Sequence, residues 1–165
     1  MAWRRWWFAA AAMLWLSLSV SPLRAQAVHR TIATLALQHG VIGIDALSSG
    51  HILIGASTDA GNATVSLAAD AANELADSIS RIRARPVSRR ATRVYRTVAV
   101  DPATGAGVEF ARHITKGSSA YRLFFSTGDV RGFPIDVSSR ELDLVLRAVR
   151  RAVRTARTLA AADSA

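Results

Sequence analysis

The spacing of apolar residues changes from strand-like to helical twice along this sequence of 165 residues, and both times in the same order. Four short apolar or alternating runs lie between residues 31 and 67, and four more lie between residues 94 and 137. Gly, Asn, Asp and Ser clusters separate the runs, as is typical of strands joined by hairpins. Apolar residues at helical spacing follow each group. The pattern predicts an α+β fold in which two helices pack on antiparallel β-sheet.

The two groups raise the question of an internal repeat. A shift of 70 residues aligns Leu67 with Val137 at the last strand and Ala72 with Leu142 on the helix. The match lies in the pattern and not in residue identity, so chance agreement of two ordinary strand–helix units is the alternative. We predict one domain over residues 28–165. A β4α–β4α pseudo-repeat would divide it into half-repeats 28–85 and 92–160, joined by the basic segment 81–96.

Two features of the second helix can be read from the sequence. Ser138 and Glu141 have the spacing of a capping box, which predicts that the helix begins directly after Ser138. Apolar residues share one face of the helix and arginines share the opposite face. An arginine face is either a binding surface for anionic groups or the solvated side of a helix packed on a core.

Residues 1–27 have the layout of a secretory signal. Arg4 and Arg5 precede an uncharged apolar run, and Ala25-Gln26-Ala27 supplies small residues at a cleavage site. A membrane anchor is the alternative, but the uncharged run from Phe8 to Leu23 is shorter than the about 20 apolar residues that a spanning helix needs. We predict a cleaved signal peptide, export by the general or the twin-arginine route, a periplasmic or secreted protein, and no transmembrane segment after cleavage.

The sequence contains no cysteine and shows no catalytic motif. An exported chain without cysteine has no disulfides and must be stabilised by packing alone. None of the four histidines has metal-ligand spacing, and no nucleophile elbow, zinc-protease helix or phosphate-binding glycine loop is present. We therefore expect no metal and no cofactor. A Ser-His-Asp triad stays open because its members are brought together by the fold and not by spacing.

Arginine is concentrated in a few places. Residues 81–100 carry seven arginines and no acidic residue, and a further group lies on the second helix. Such clusters create a positive field that favours acidic partners, and the alternative for the first cluster is a solvated linker. The predicted binding residues are Arg81, Arg83, Arg85, Arg89, Arg90, Arg93, Arg147, Arg151 and Arg154.

These observations favour an exported binding or adaptor domain of the cell envelope that engages a protein or an anionic polymer. The missing motifs argue against an enzyme, but a small exported hydrolase of unrecognised type is one alternative. The other is an extracytoplasmic nucleic-acid-binding module, because the β4α order with a basic segment resembles single-strand DNA-binding proteins of the Whirly type. That function requires Tyr95 and Tyr121 to be exposed on a sheet face, and export argues against it. The oligomeric state stays open.

Overall fold

The computed structural model describes residues 28–87, 92–128 and 130–164, which form eight strands and two helices. The elements are β1 (His29–Leu37), β2 (Gly40–Leu47), β3 (His51–Thr58), β4 (Gly61–Ala68), α1 (Ala69–Ala84), β5 (Arg93–Val100), β6 (Gly107–Thr115), β7 (Ser118–Thr127), β8 (Val130–Val137) and α2 (Ser139–Asp163). Strands β1 to β4 form one antiparallel sheet in chain order, and β5 to β8 form a second. The α+β class and the antiparallel sheets are confirmed. The predicted signal peptide lies outside the described residues.

Each sheet turns an apolar face towards the helices. In the first sheet this face is aliphatic, and in the second it includes aromatic rings. The buried residues of the first face include Ile42, Ile44, Ile52, Ile54, Val65 and Leu67, and those of the second include Phe110, Leu123, Phe125 and Ile135. Alternation along each strand produces these faces, because successive side chains point to opposite sides of a sheet. One core joins the two sheets and the two helices.

The helices are exchanged between the two sheets. Helix α1 follows the first sheet but packs chiefly against β5 of the second sheet. Helix α2 follows the second sheet but packs chiefly against β2 and β1 of the first. Each sheet is therefore covered mainly by the helix that belongs to the other half of the chain.

The two helices lie antiparallel and are joined by ion pairs. Three acidic side chains and three arginines form the contacts, and the residue numbers rise along α1 as they fall along α2. The pairs are Asp70–Arg157 at 2.6 Å, Asp77–Arg150 at 3.2 Å and Arg83–Asp143. The acidic residues of α1 are thus partly neutralised by the arginine-rich helix, although partly exposed pairs of this kind contribute only about 0–1 kcal/mol each.

A buried arginine binds the carbonyl groups at the C-terminal end of helix α1. Arg112 lies on the apolar face of β6 and is only 2% exposed. Its Nη1 lies 2.7, 3.0 and 2.8 Å from the carbonyl oxygens of Ile82, Arg83 and Arg85, and its Nε and Nη2 donate to Ser119 Oγ. The last carbonyls of a helix have no partner within the helix and carry partial negative charge, so a cation is favourable there.

The starts of the two helices differ. The predicted capping box of α2 is confirmed, because Ser138 Oγ accepts from Glu141 N while Glu141 Oε2 accepts from Ser138 N at 2.7 Å. Helix α1 has Ala68 at the same position, and no side chain caps it. No helix in the described part of the chain has the length and hydropathy needed to cross a membrane.

Candidate anion-binding cleft

The structure divides the basic segment 81–96 between two elements. Arg81 and Arg83 belong to the last turn of α1, Arg85 follows the helix, and Arg93 begins β5. Arg89 and Arg90 lie outside the described residues. The arginines near the joint are therefore held mostly by a helix end and a strand, and they do not form one continuous linker between residues 81 and 96.

A cleft of about 240 Å³ lies between the end of α1 and the beginning of β5. It exists because α1 packs on β5, so residues 15 positions apart in the chain (Arg81 and Arg96) become neighbours. The lining residues are Ser78, Arg81, Ile82, Arg85, Tyr95, Arg96 and Thr97. Two arginines, Arg81 and Arg85, and three hydroxyl groups thus face one concavity, and no carboxylate is among the described residues that line it.

Tyr95 forms the floor of this cleft. The guanidinium carbon of Arg85 lies 4.7 Å from the centroid of the Tyr95 ring, and Arg93 Nη1 donates to the Tyr95 hydroxyl at 3.5 Å. The hydrogen bond from Arg93, aided by Arg85, lowers the pKa of Tyr95 below its ordinary value. The lowered pKa reports the positive potential around the hydroxyl, since a cation favours the ionised phenol.

The side chains of Arg81 and Arg85 are both exposed. Arg81 donates to Ser78 Oγ at 2.7 Å, which fixes its position beside the cleft. Arg96 is 63% exposed, but its side chain lies on the other face of β5, 3.3 Å from Glu109 on the neighbouring strand. Guanidinium groups bind phosphate, sulfate and carboxylate through paired N–H donors, so the arrangement can hold one such group.

Arg83 does not take part in the cleft. Its side chain points towards α2, pairs with Asp143 and donates to Ser139 Oγ at 3.0 Å. The hydrogen bond to Asp143 raises the pKa of Arg83 and lowers that of Asp143. Of the predicted binding residues near the joint, Arg83 therefore joins the two helices. Tyr95, which the predicted set did not include, lines the cleft.

The arginines of α2 form a separate surface. Arg147, Arg151 and Arg154 are exposed, lie on one side of the helix, and form no ion pair with the residues that the structure describes. They do not line the cleft. The same helix turns Arg150 and Arg157 towards α1, where both are paired. The arginine face predicted from the sequence therefore consists of two rows. Arg150 and Arg157 pair with α1. Arg147, Arg151 and Arg154 form the second row, which is called the free row below.

The histidines do not form a catalytic or metal site in the described residues. His29 and His39 are exposed, and His51 and His113 are half-buried on different strands. His51 Nδ1 lies 3.2 Å from the carbonyl oxygen of Ser49, its neighbour in a turn. No group of three potential metal ligands occurs among the described residues.

A larger cavity of about 400 Å³ lies between the open face of the first sheet and two hairpin turns. Asp101 is the ionisable residue among the described side chains that line it. Its carboxylate accepts from Ala103 N and Thr104 Oγ1, and these bonds lower the pKa of Asp101. The cavity therefore presents a turn-forming carboxylate with both oxygens engaged, which is a poor general base.

The tyrosines are not presented as a stacking platform. Tyr121 is half-buried on the helix-covered face, where its ring centroid lies 6.2 Å from that of Phe110. Tyr95 is half-buried beneath Arg85. The exposed tyrosines expected of a nucleic-acid-binding sheet are not found in these two positions.

Comparisons with other proteins give no assignment. The sequence matches no model of a protein family, and no curated protein shows significant similarity to it. The functional argument therefore rests on the cleft and its chemistry.

Proposed function

We propose that this chain is an exported, non-enzymatic binding domain of the cell envelope that holds anionic groups of a polymer in the cleft between α1 and β5. The observation that carries the proposal is that Arg81 and Arg85 line one concavity with Tyr95, whose hydroxyl accepts from Arg93, without a lining carboxylate among the described residues. Like charges repel, and a set that is held together by a helix end and a strand is stabilised when an anion binds between them.

The free row of α2 supports a polymeric rather than a small ligand. Arg147, Arg151 and Arg154 offer a second positive surface outside the cleft. A polyanion that occupies the cleft keeps further charges available for such a surface, and linked contacts of this kind raise the overall affinity. An acidic protein surface is the alternative ligand.

Export and duplication belong to the same proposal. The charged start, apolar run and small-residue site of residues 1–27 support a cleaved signal. The order of four strands and a helix, which occurs twice, supports duplication of one unit. Mass spectrometry of the protein recovered from the envelope fraction tests the first point. We expect a mature chain that begins at Val28, and retention of residues 1–27 would contradict export by cleavage.

The binding proposal is tested with two double variants of equal charge. R81A/R85A removes the two arginines that line the cleft, and R30A/K116A removes two exposed charges elsewhere. The probe is polyphosphate of defined length, with poly-glutamate for comparison, and titration calorimetry at several salt concentrations gives the affinity. We expect about tenfold weaker binding for R81A/R85A, because each lost charged hydrogen bond costs about 1 kcal/mol or more.

The control variant and the salt series decide between a site and a general charge effect. R30A/K116A should bind within about twofold of the parent at 0.15 M salt, where charges more than about 8 Å away are screened. Equal losses in both double variants would show that net charge alone attracts the polymer. Binding that ignores salt would contradict the proposal altogether.

A further inference from the structure

The four sheet edges are protected to different degrees. β8 carries Pro134 and an irregular register beside Phe125, β1 has an irregular register after Thr31, and β4 contacts the second sheet. Prolines, bulges and covering segments prevent an edge from pairing with another chain. β5 pairs with β6 without interruption from Arg93 to Val100. No strand in the described part of the chain lies along its other side.

β5 also exposes apolar side chains. Val94, Val98 and Val100 are 46%, 59% and 47% exposed, and they lie on the face that points away from α1. They account for three of the six exposed large apolar side chains in the described part of the chain. Exposed valines along an unprotected edge are typical of a strand that pairs with another strand.

The backbone groups of the same residues point outward. Asp101 N donates to Ala106 O at 2.8 Å, which continues the register of β5 and β6. Residues of an antiparallel strand alternate in the side to which their N–H and C=O groups point. Because Asp101 points to β6, so do Ala99 and Thr97, and the groups of the even-numbered residues from Val94 to Val100 are directed away from the sheet.

We propose that two copies of this chain pair through β5, antiparallel, with Thr97 opposite Thr97 of the second copy. In this register Val94 lies opposite Val100, Arg96 lies opposite Val98, and Arg93 lies opposite Asp101. A shift of two residues in one direction places Arg96 opposite Arg96, which is repulsive. A shift in the other direction places Val94 opposite Pro102, which has no N–H to donate. The strand is therefore complementary to itself in this one register.

The pairing joins the two clefts. Thr97 lines the cleft and lies on the two-fold axis, so the clefts of both copies meet on the helix side of a continuous eight-stranded sheet. Their arginines repel each other across the axis until anions bind between them. Polyphosphate should therefore strengthen the dimer, an effect that rests on the proposed function. The pairing of the strands does not depend on that ligand.

Cysteine cross-linking tests the register directly, because the chain contains no cysteine of its own. Thr97 would form a non-hydrogen-bonded pair with its counterpart, at about 4.5 Å between Cα atoms. This distance lies within the range of about 4.4–6.8 Å that a disulfide accepts. The variants T97C, V98C and A120C are purified from cells that express the full chain and are oxidised at equal concentration.

We expect T97C to form covalent dimers at least about tenfold faster than A120C, which lies on the open face of the second sheet. V98C should be slow, because Val98 faces Arg96 in the proposed register. Fast cross-linking of V98C and not of T97C would overturn the register. Equal rates for all three variants would overturn the pairing.

Sedimentation of proline and threonine variants tests the edge without oxidation. V98P removes an outward N–H and leaves the bonds to β6 intact, as Pro134 does on the edge strand β8. V98T keeps the N–H. We expect V98P to weaken dimerisation at least about tenfold and V98T to weaken it less, with thermal unfolding confirming that both are folded. A parent chain that stays monomeric at about 100 µM, with and without polyphosphate, would overturn the inference.

The two proposals fail separately. V98P leaves the cleft arginines in place, so each chain should still bind polyphosphate. If R81A/R85A and the parent bind the polymer equally but T97C cross-links, the proposed function is wrong and the pairing stands. If V98P dimerises as the parent does but R81A/R85A loses binding, the reverse holds.

Discussion

The two sheets place different residues at comparable positions beneath the helices. A row of paired inward-facing residues that begins at Leu67 of β4 continues through Ile52 to Ala46 in the first sheet. The row that begins at Val137 of β8 continues through Tyr121 to Arg112 in the second. The first row is aliphatic throughout, whereas the second ends on a buried cation.

Helix length explains this difference. Helix α1 has 16 residues and ends above the second sheet, where its last carbonyl groups need donors. Helix α2 has 25 residues, and its apolar stripe runs from Leu142 to Ala156 against the first sheet. Arg112 is therefore placed by the end of a helix and not by the sheet that carries it. A polar side chain lies in this core because backbone carbonyl groups there need a hydrogen-bond donor.

The largest effect is expected when the halves are separated. Residues 28–87 and residues 92–165, expressed as two chains, should each fail to fold, because each sheet loses the helix that covers its apolar face. Circular dichroism and amide spectra of each fragment, alone and mixed, provide the measurement. Recovery of structure only on mixing would show that each sheet needs the helix of the other half, and independent folding of either fragment would contradict the exchange of helices.

The next effect concerns the buried cation. R112M keeps an unbranched apolar stem but removes every donor, so the helix-end carbonyls lose a charged partner inside the core. We expect the free energy of unfolding to fall by about 3 kcal/mol. S119A, which removes one acceptor of Arg112, should cost about 1 kcal/mol. Urea denaturation of both variants checks the order, and a cost for R112M below that of S119A would refute this account of the second sheet.

The third prediction concerns the caps at the starts of the two helices. S138A removes the cap of α2 and should lower the free energy of unfolding by about 1 kcal/mol. A68D adds a cap to α1, where no side chain now serves, and should raise it by about 0.5–1 kcal/mol. Thermal unfolding of the two variants measures the asymmetry. Changes of the same sign would show that the two helix starts are not limited by capping.

The smallest effect is a pH dependence located in the second half. The hydrogen bonds from Ser138, which have the largest effect, and the bond from Gln38 N lower the pKa of Glu141. The bonds from Arg122 likewise lower the pKa of Asp136. Carboxyls with a lowered folded pKa contribute stability that is present above the unfolded value of about 4 and is lost as the pH falls through the folded value.

Unfolding by urea between pH 7 and pH 2 measures this dependence. Stability should decrease below about pH 4, and the decrease should be smaller in S138A because the largest cause of the Glu141 shift is gone. The same pH dependence of the free energy of unfolding in S138A and in the parent would contradict this cause of the lowered pKa of Glu141.

Local sequence patterns predicted the elements well, whereas the site depended on contacts that no local pattern contains. The capping box at Ser138 was readable because both partners lie within one turn. Arg112 alternates with Phe110 and Ile114, and a charge in such an apolar row was a signal of a buried polar contact. Its partners at the end of α1 could not be named, because they come from packing. For the same reason the pairing of Arg83 with Asp143 across the two helices could not be read from the sequence.

The exchange of helices also governs when the chain can complete its structure. The apolar face of the first sheet is covered by the last element of the sequence, and the contacts between β2 and α2 span about a hundred residues. A chain that emerges from its N-terminus can form hairpins early, but its core closes only after α2 is free. Until then, the apolar face of the first sheet lacks its cover, so we expect closure of the core to follow the synthesis of this 25-residue helix.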